Sequence, residues 1–241
     1  MFRNSNSLPT LSTSSSLRYI VFTILYIAQG VPSGLMAIAI PAWLVKQGLA
    51  TAGISTYLAI AWLPWSFKLV AGPLMDRYSF LAMGRRRPWI LSAQVGLCIG
   101  FVLMSTLKNP TENIYWLAGF GFIVNLFTAL QDVAVDGMAI ELLPENEQAR
   151  ANSFMWGGKT IGKAVTAAGC SFLLNKFGFS FTMFFVTNII GLIFLFPLLL
   201  RERPGERLLP WTSGDSSDST ANLQLYTMRS IFGNLLQAAS L

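Results

Sequence analysis

Apolar residues gather along this chain in six long runs, at about 18–45, 52–75, 88–107, 113–137, 150–174 and 177–200, with most polar residues between them. A helix of about 20 apolar residues crosses the roughly 30 Å of bilayer hydrocarbon. The pattern therefore predicts an all-α, polytopic membrane protein with six transmembrane helices. In the first run, Gln29-Gly30-Val31-Pro32-Ser33-Gly34 weakens the backbone ladder and predicts a bend near mid-membrane, a feature tolerated only where protein or a cavity satisfies the freed groups. The second run carries Pro64 and then Lys68, whose long stem can snorkel toward the nearby membrane face. The third is broken only by Gln94 and two glycines, and the sixth ends in Arg201-Glu202-Arg203. Residues 1–17, rich in Ser, Thr and Asn, read as a disordered tail. Residues 201–241 read as a linker, whose last stretch, Leu223 to Leu241, is too polar and too short for a seventh span.

Composition sharpens this picture. Hydrophobic residues make up 53% of the 241 and charged residues 12%, against about a quarter charged in ordinary soluble domains. The excess of 17 Lys and Arg over 11 Asp and Glu does not point to nucleic acid, because the arginines flank apolar runs and do not line one polar face. If the arginine-rich loop at 84–87 is cytoplasmic, Arg3, Arg77, Arg85, Arg86, Arg87, Arg150, Arg201, Arg203 and Arg207 lie inside, against Lys46, Lys108 and Lys176 outside. That asymmetry places both termini in the cytoplasm. The first run is too long for a cleaved signal core. With no histidine, and with Cys98 and Cys170 inside apolar runs, neither a metal centre nor a disulfide framework is expected, and no cofactor is called for. Proton chemistry, if any, falls to carboxylates.

Those carboxylates stand inside the spans. Asp132 and Asp136 are four apart in the fourth run and share a helix face, as do Lys159 and Lys163 in the fifth. An ionised group in hydrocarbon costs about 2.5–3.5 kcal/mol and so faces a cavity or a partner. At about 1.5 Å per residue, Lys163 falls near the midplane, with Lys159 roughly 5 Å and Asp132 roughly 10 Å toward the cytoplasm. Asp136 falls near the interface. Two readings stay open: Lys159 and Lys163 attract an anionic solute while Asp132 takes up a coupling proton, or Asp132 and Lys159 form a structural ion pair. Gln29 is the polar side chain of the first run expected at the cavity.

The stretch Gly72-Pro73-Leu74-Met75-Asp76-Arg77, followed by Gly84-Arg85-Arg86-Arg87-Pro88-Trp89, resembles the cytoplasmic signature between helices 2 and 3 of the major facilitator superfamily of secondary transporters. Here Tyr78 to Met83 make its internal gap longer than usual. The resemblance implies one six-helix half, built as an inverted pair of three-helix repeats, with a second half supplied in cis or in trans. It also implies that Gly72, Asp76, Arg77, Gly84, Arg85, Arg86 and Arg87 form a cytoplasmic gate, with Asp136 or Glu141 as arginine partners. Leu63-Pro64-Trp65-Ser66-Phe67-Lys68, Gln131-Asp132-Val133-Ala134-Val135-Asp136-Gly137 and Gly157-Gly158-Lys159-Thr160-Ile161-Gly162 narrow the resemblance to AmpG-type muropeptide permeases and acetyl-coenzyme A transporters. That implies a small, anionic solute, proton coupling and a bacterial inner membrane. The Gly-Arg-Arg-Arg-Pro-Trp string is similar also to cation-coupled sugar and glycoside symporters, and a truncated, non-transporting membrane module is the further alternative. A lipid head-group transferase is disfavoured, because Met138-Ala139-Ile140-Glu141 follows Asp136-Gly137 and Ala129 stands where a third acid is needed.

Overall fold

The computed structural model describes residues 10–215, so the segments 1–9 and 216–241 of the expected tail and linker lie outside the described residues. Its long helices are α1 (Ser15–Lys46), α2 (Thr51–Arg77), α3 (Arg87–Ser105), α4 (Ile114–Leu142), α5 (Glu145–Phe177) and α6 (Phe179–Leu199). All but α5 are long and apolar enough to cross a membrane by composition alone. In α5 three lysines, Lys159, Lys163 and Lys176, and a polar first turn, with acidic Glu145 and Glu147, dilute the apolar character. Packing still makes it a span. It runs parallel to α1 from end to end, with Glu147 bonded to Arg18 near one terminus and Asn175 to Lys46 near the other.

Small residues set that pairing. A Cβ added to Gly30 would lie 2.5 Å from the Lys159 carbonyl, and one on Gly162 would lie 2.6 Å from the carbonyl of Ile27. Gly34 meets the Lys163 carbonyl and Gly158 that of Thr23 in the same way. Without a hydrophobic drive between helices inside lipid, close backbone approach of this kind holds them together. The bend expected over residues 29–34 is displaced, because those residues are locked against α5. Pro32 sits within regular helix, and the irregularity is a π turn at Leu35–Ala39.

The second irregularity falls in α2, where Leu63–Phe67 tighten into a 3-10 segment around Pro64, as expected where a proline removes a backbone donor. Beyond it the helix resumes at Lys68. α3 and α4 are close neighbours, with Phe127 against Gly96 and Val124 against Gly100. At the arginine-loop end the chain is ordered earlier than residue 18: Ser14 caps α1 by accepting from the Leu17 amide, and Leu11 and Ser12 donate backbone hydrogen bonds to the carbonyls of Arg201 and Glu202.

Candidate functional site: an intramembrane charge cluster

The 3-10 break in α2 aims two side chains at α4. Trp65 donates its indole hydrogen to Asn125 Oδ1 at 3.1 Å, and one helical turn of sequence further on Lys68 reaches Asp132 Oδ2. From the other side Lys159 of α5 donates to Asp132 Oδ1 at 3.1 Å. Asp132, 3% exposed, is thus held between lysines of two helices. Its neighbour Asp136 lies 3.5 Å from Lys68 and accepts from the Tyr26 hydroxyl. The Lys159 ammonium also lies 5.2 Å from the ring of Trp156, 5.6 Å from Tyr26 and 5.7 Å from Trp65. Aromatic faces attract a cation more strongly as water is removed. Two acids and two lysines balance here. An open cavity of about 520 Å³ adjoins the cluster, lined by Tyr26, Asp136, Gln148, Asn152, Met155 and Trp156 among others.

Lys163, one turn beyond Lys159, points to the open side of α5 and makes no ion pair with another described residue. Gln29 is placed elsewhere: it is 1% exposed, on the core face of α1 with Phe22 and Leu25, because α5 occupies the face of α1 that carries Gly30 and Gly34. It does not join Lys159 in the charge cluster. Lys68 does not snorkel to the membrane face, because two carboxylates lie within its reach. Sequence reasoning missed Lys68, Tyr26, Trp65 and Trp156 as members of one cluster; Pro64, four residues before Lys68, was the available signal.

At the arginine loop, Asp76 Oδ1 accepts from Arg85 at 3.0 Å and from Arg86 at 2.6 Å, while Glu141 lies 2.9 Å from Arg86 Nε and 3.5 Å from Arg85. Glu141 therefore takes the arginines and Asp136 does not. Arg77 is exposed beside the ring of Tyr78, and a Cβ on Gly72 would make only ordinary contact with Val133 at 3.9 Å. Arg87 works differently. Arg87, 1% exposed, donates through its guanidinium to the carbonyls of Pro197 and Leu198, acceptors that the end of α6 leaves open, and to those of Arg207 and Leu208 beyond it.

Glu202, which sequence reasoning passed over, completes this clasp. Its carboxylate accepts the backbone N–H groups of Arg85, Arg86 and Arg87 at 3.0, 2.9 and 2.5 Å. Gly84 has φ +98°, and a Cβ there would strike that carboxylate at 2.6 Å. The glycine is required twice over, by backbone conformation and by space. Burial, with Glu206 nearby, pushes the Glu202 carboxyl up to about 7, while the three N–H groups pull the other way. A carboxyl whose folded value is raised from 4.5 to about 7 gives stability that is lost as pH rises through that window. Unfolding of the purified chain across this window should show the slope, and Glu202→Gln should flatten it. An unchanged slope in that variant would place the titration elsewhere.

The model of the BT1 family matches residues 29–234. Anhydromuropeptide permease of Escherichia coli (strain K12) is 29% identical over 161 residues, 66% of this chain and 32% of the relative. "Putative transporter AmpG 4" of Rickettsia conorii is 25% identical over 192 residues, 77% of this chain and 46% of the relative. An uncharacterized protein of Schizosaccharomyces pombe is 30% identical over 162 residues, 62% of this chain and 30% of the relative. The chain thus spans between about a third and a half of the length of these relatives.

Proposed function

The chain belongs to the BT1 family, a transporter family, and from that premise we propose that it is the N-terminal half of a proton-coupled secondary transporter that moves a small anionic solute of the muropeptide type by alternating access. The resemblance to AmpG-type permeases carried by the second, fourth and fifth spans agrees with the relatives found. The observation that supports the mechanism is the nearly buried Asp132 held between Lys68 and Lys159, with Lys163 one turn further on and unpaired among the described residues.

Charge arithmetic gives the coupling. With Asp132 and Asp136 both ionised, Lys68 and Lys159 are neutralised and Lys163 alone attracts an anion. A proton on Asp132 cancels its charge, frees Lys159 to turn toward the solute while Asp136 keeps Lys68, and raises the local charge by one. In surroundings of low dielectric that increment is worth far more than in water. An anion entering with a proton then leaves the net buried charge unchanged, so the loaded site crosses the membrane interior at least cost. The Asp76, Arg85, Arg86 and Glu141 pairs close the cytoplasmic side and part when it opens. A second six-helix half packs on the open sides of α2 and α5, and both termini face the cytoplasm, in the inner membrane for a bacterial protein.

Uptake of labelled anhydromuropeptide into membrane vesicles tests this. An imposed gradient, acid outside, should accelerate uptake several-fold, and a protonophore should abolish the gain. Uptake indifferent to the gradient would remove proton coupling.

A further inference from the structure

The hydrophobic interior of the bundle is divided in two. One cluster, with Val31, Leu35, Leu97 and Val124, fills the end away from the arginine loop. The other, with Leu25, Ile90 and Val135, fills the end toward it. Each of three helices passes between the clusters through a glutamine: α1 through Gln29, α3 through Gln94 and α4 through Gln131. The three amides are 1%, 0% and 0% exposed.

The helix registers bring these positions to one level. Gln131 Nε2 donates to the Leu25 carbonyl at 3.4 Å, Gly121 faces Met36, and Gly96 faces Phe127. Counting about 1.5 Å per residue from those contacts, the three glutamines lie within about one helical turn of each other along the bundle. Each also stands on the core-facing stripe of its helix, with a core side chain one turn away: Leu25 by Gln29, Ile90 by Gln94 and Val135 by Gln131. The carboxylate next to Gln131 in sequence, Asp132, turns instead to the lysines of α2 and α5.

Both amide atoms of Gln29, both of Gln94 and the Oε1 of Gln131 have no partner among the described residues. A buried polar group left unpaired costs about 1–3 kcal/mol, and natural interiors satisfy such groups with protein or with ordered water. The five atoms are three acceptors and two donors. An anion would need donors alone, and a cation would need acceptors alone with a compensating charge. Water offers both, and at about three bonds per buried molecule the set calls for about two.

We propose that Gln29, Gln94 and Gln131 form a buried water-binding site that bridges α1, α3 and α4. The site gives Gln29 and Gln94, which solute recognition does not use, a definite partner.

Two measurements on the chain as it stands test this. In a high-resolution structure of the wild-type chain in nanodiscs, ordered water density should lie between the three amides; amides bonded directly to one another, with no density between them, would overturn the proposal. In unfolding of the purified chain, Gln29→Leu and Gln94→Leu should each lower stability. Because each variant strands waters that the other glutamine also holds, the double variant should be less destabilised than the product of the two effects, by about threefold in the unfolding equilibrium. Independent effects, multiplying with no coupling, would mean that the two amides share no water.

Discussion

Asp132→Asn is expected to abolish gradient-driven uptake and to destabilise the chain, because it removes the carboxylate that both Lys68 and Lys159 contact. Breaking a buried pair from one side costs about 3–5 kcal/mol. The lysine side chains here are 36% and 18% exposed, so the lower end of that range, about 3 kcal/mol or less, is the reasonable expectation. Adding Lys159→Gln should recover part of the stability, since one stranded ammonium disappears, but none of the coupling. Thermal unfolding in detergent and vesicle uptake separate the two effects. If the double variant is no more stable than Asp132→Asn alone, the pairing in the cluster contributes little.

The second large effect is mechanical. Gly162→Leu should strip most folded protein from the membrane, because the first added carbon would sit 2.6 Å from the Ile27 carbonyl, and backbone at a helix interface does not yield as a side chain tip does. Overpacking of this kind costs about 1–3 kcal/mol, occasionally more, and here it would also part α1 from α5 and so displace Lys159 from Asp132. Gly157 lies five residues earlier on the same helix with nothing within 4 Å of its added Cβ. Gly157→Ala should therefore be neutral, or stabilising by up to about 1 kcal/mol through helix propensity. Fluorescence-detected size exclusion of the two variants compares them directly. Equal yields would mean that the close α1 to α5 contact is not needed for assembly.

Much of this architecture is legible in the sequence because the bilayer leaves few options. Six apolar runs between charged loops fix six helices, and backbone satisfaction inside lipid forbids open strands. The pairing in the arginine loop is legible as well, since Asp76 and its arginines stand within ten residues of each other. What escapes is whatever depends on rotation about a helix axis. Depth along a span is counted easily, and it put Lys159 near Asp132; facing is not, and Gln29 turned inward where a cavity position was expected. The length of the Lys68 stem alone allows it to reach the membrane face, whereas the 3-10 turn at Pro64 decides where that stem points. Glu202 was hidden for another reason. Its partners are three backbone N–H groups more than a hundred residues earlier, and backbone donors leave no mark in a residue pattern.

Recognition of the anion is assigned above all to Lys163. The direct measurement is concentration-dependent uptake of labelled anhydromuropeptide by Lys163→Gln and Lys163→Arg in the transporter joined to its second half, at matched expression. Loss of the charge should raise the half-saturating concentration about tenfold or more, about 1.4 kcal/mol of binding, whereas arginine, which keeps the charge but changes the donor geometry, should retain part of the affinity. Half-saturation unchanged in Lys163→Gln would contradict the account, and would leave Lys163 a surface lysine with no part in recognising the solute.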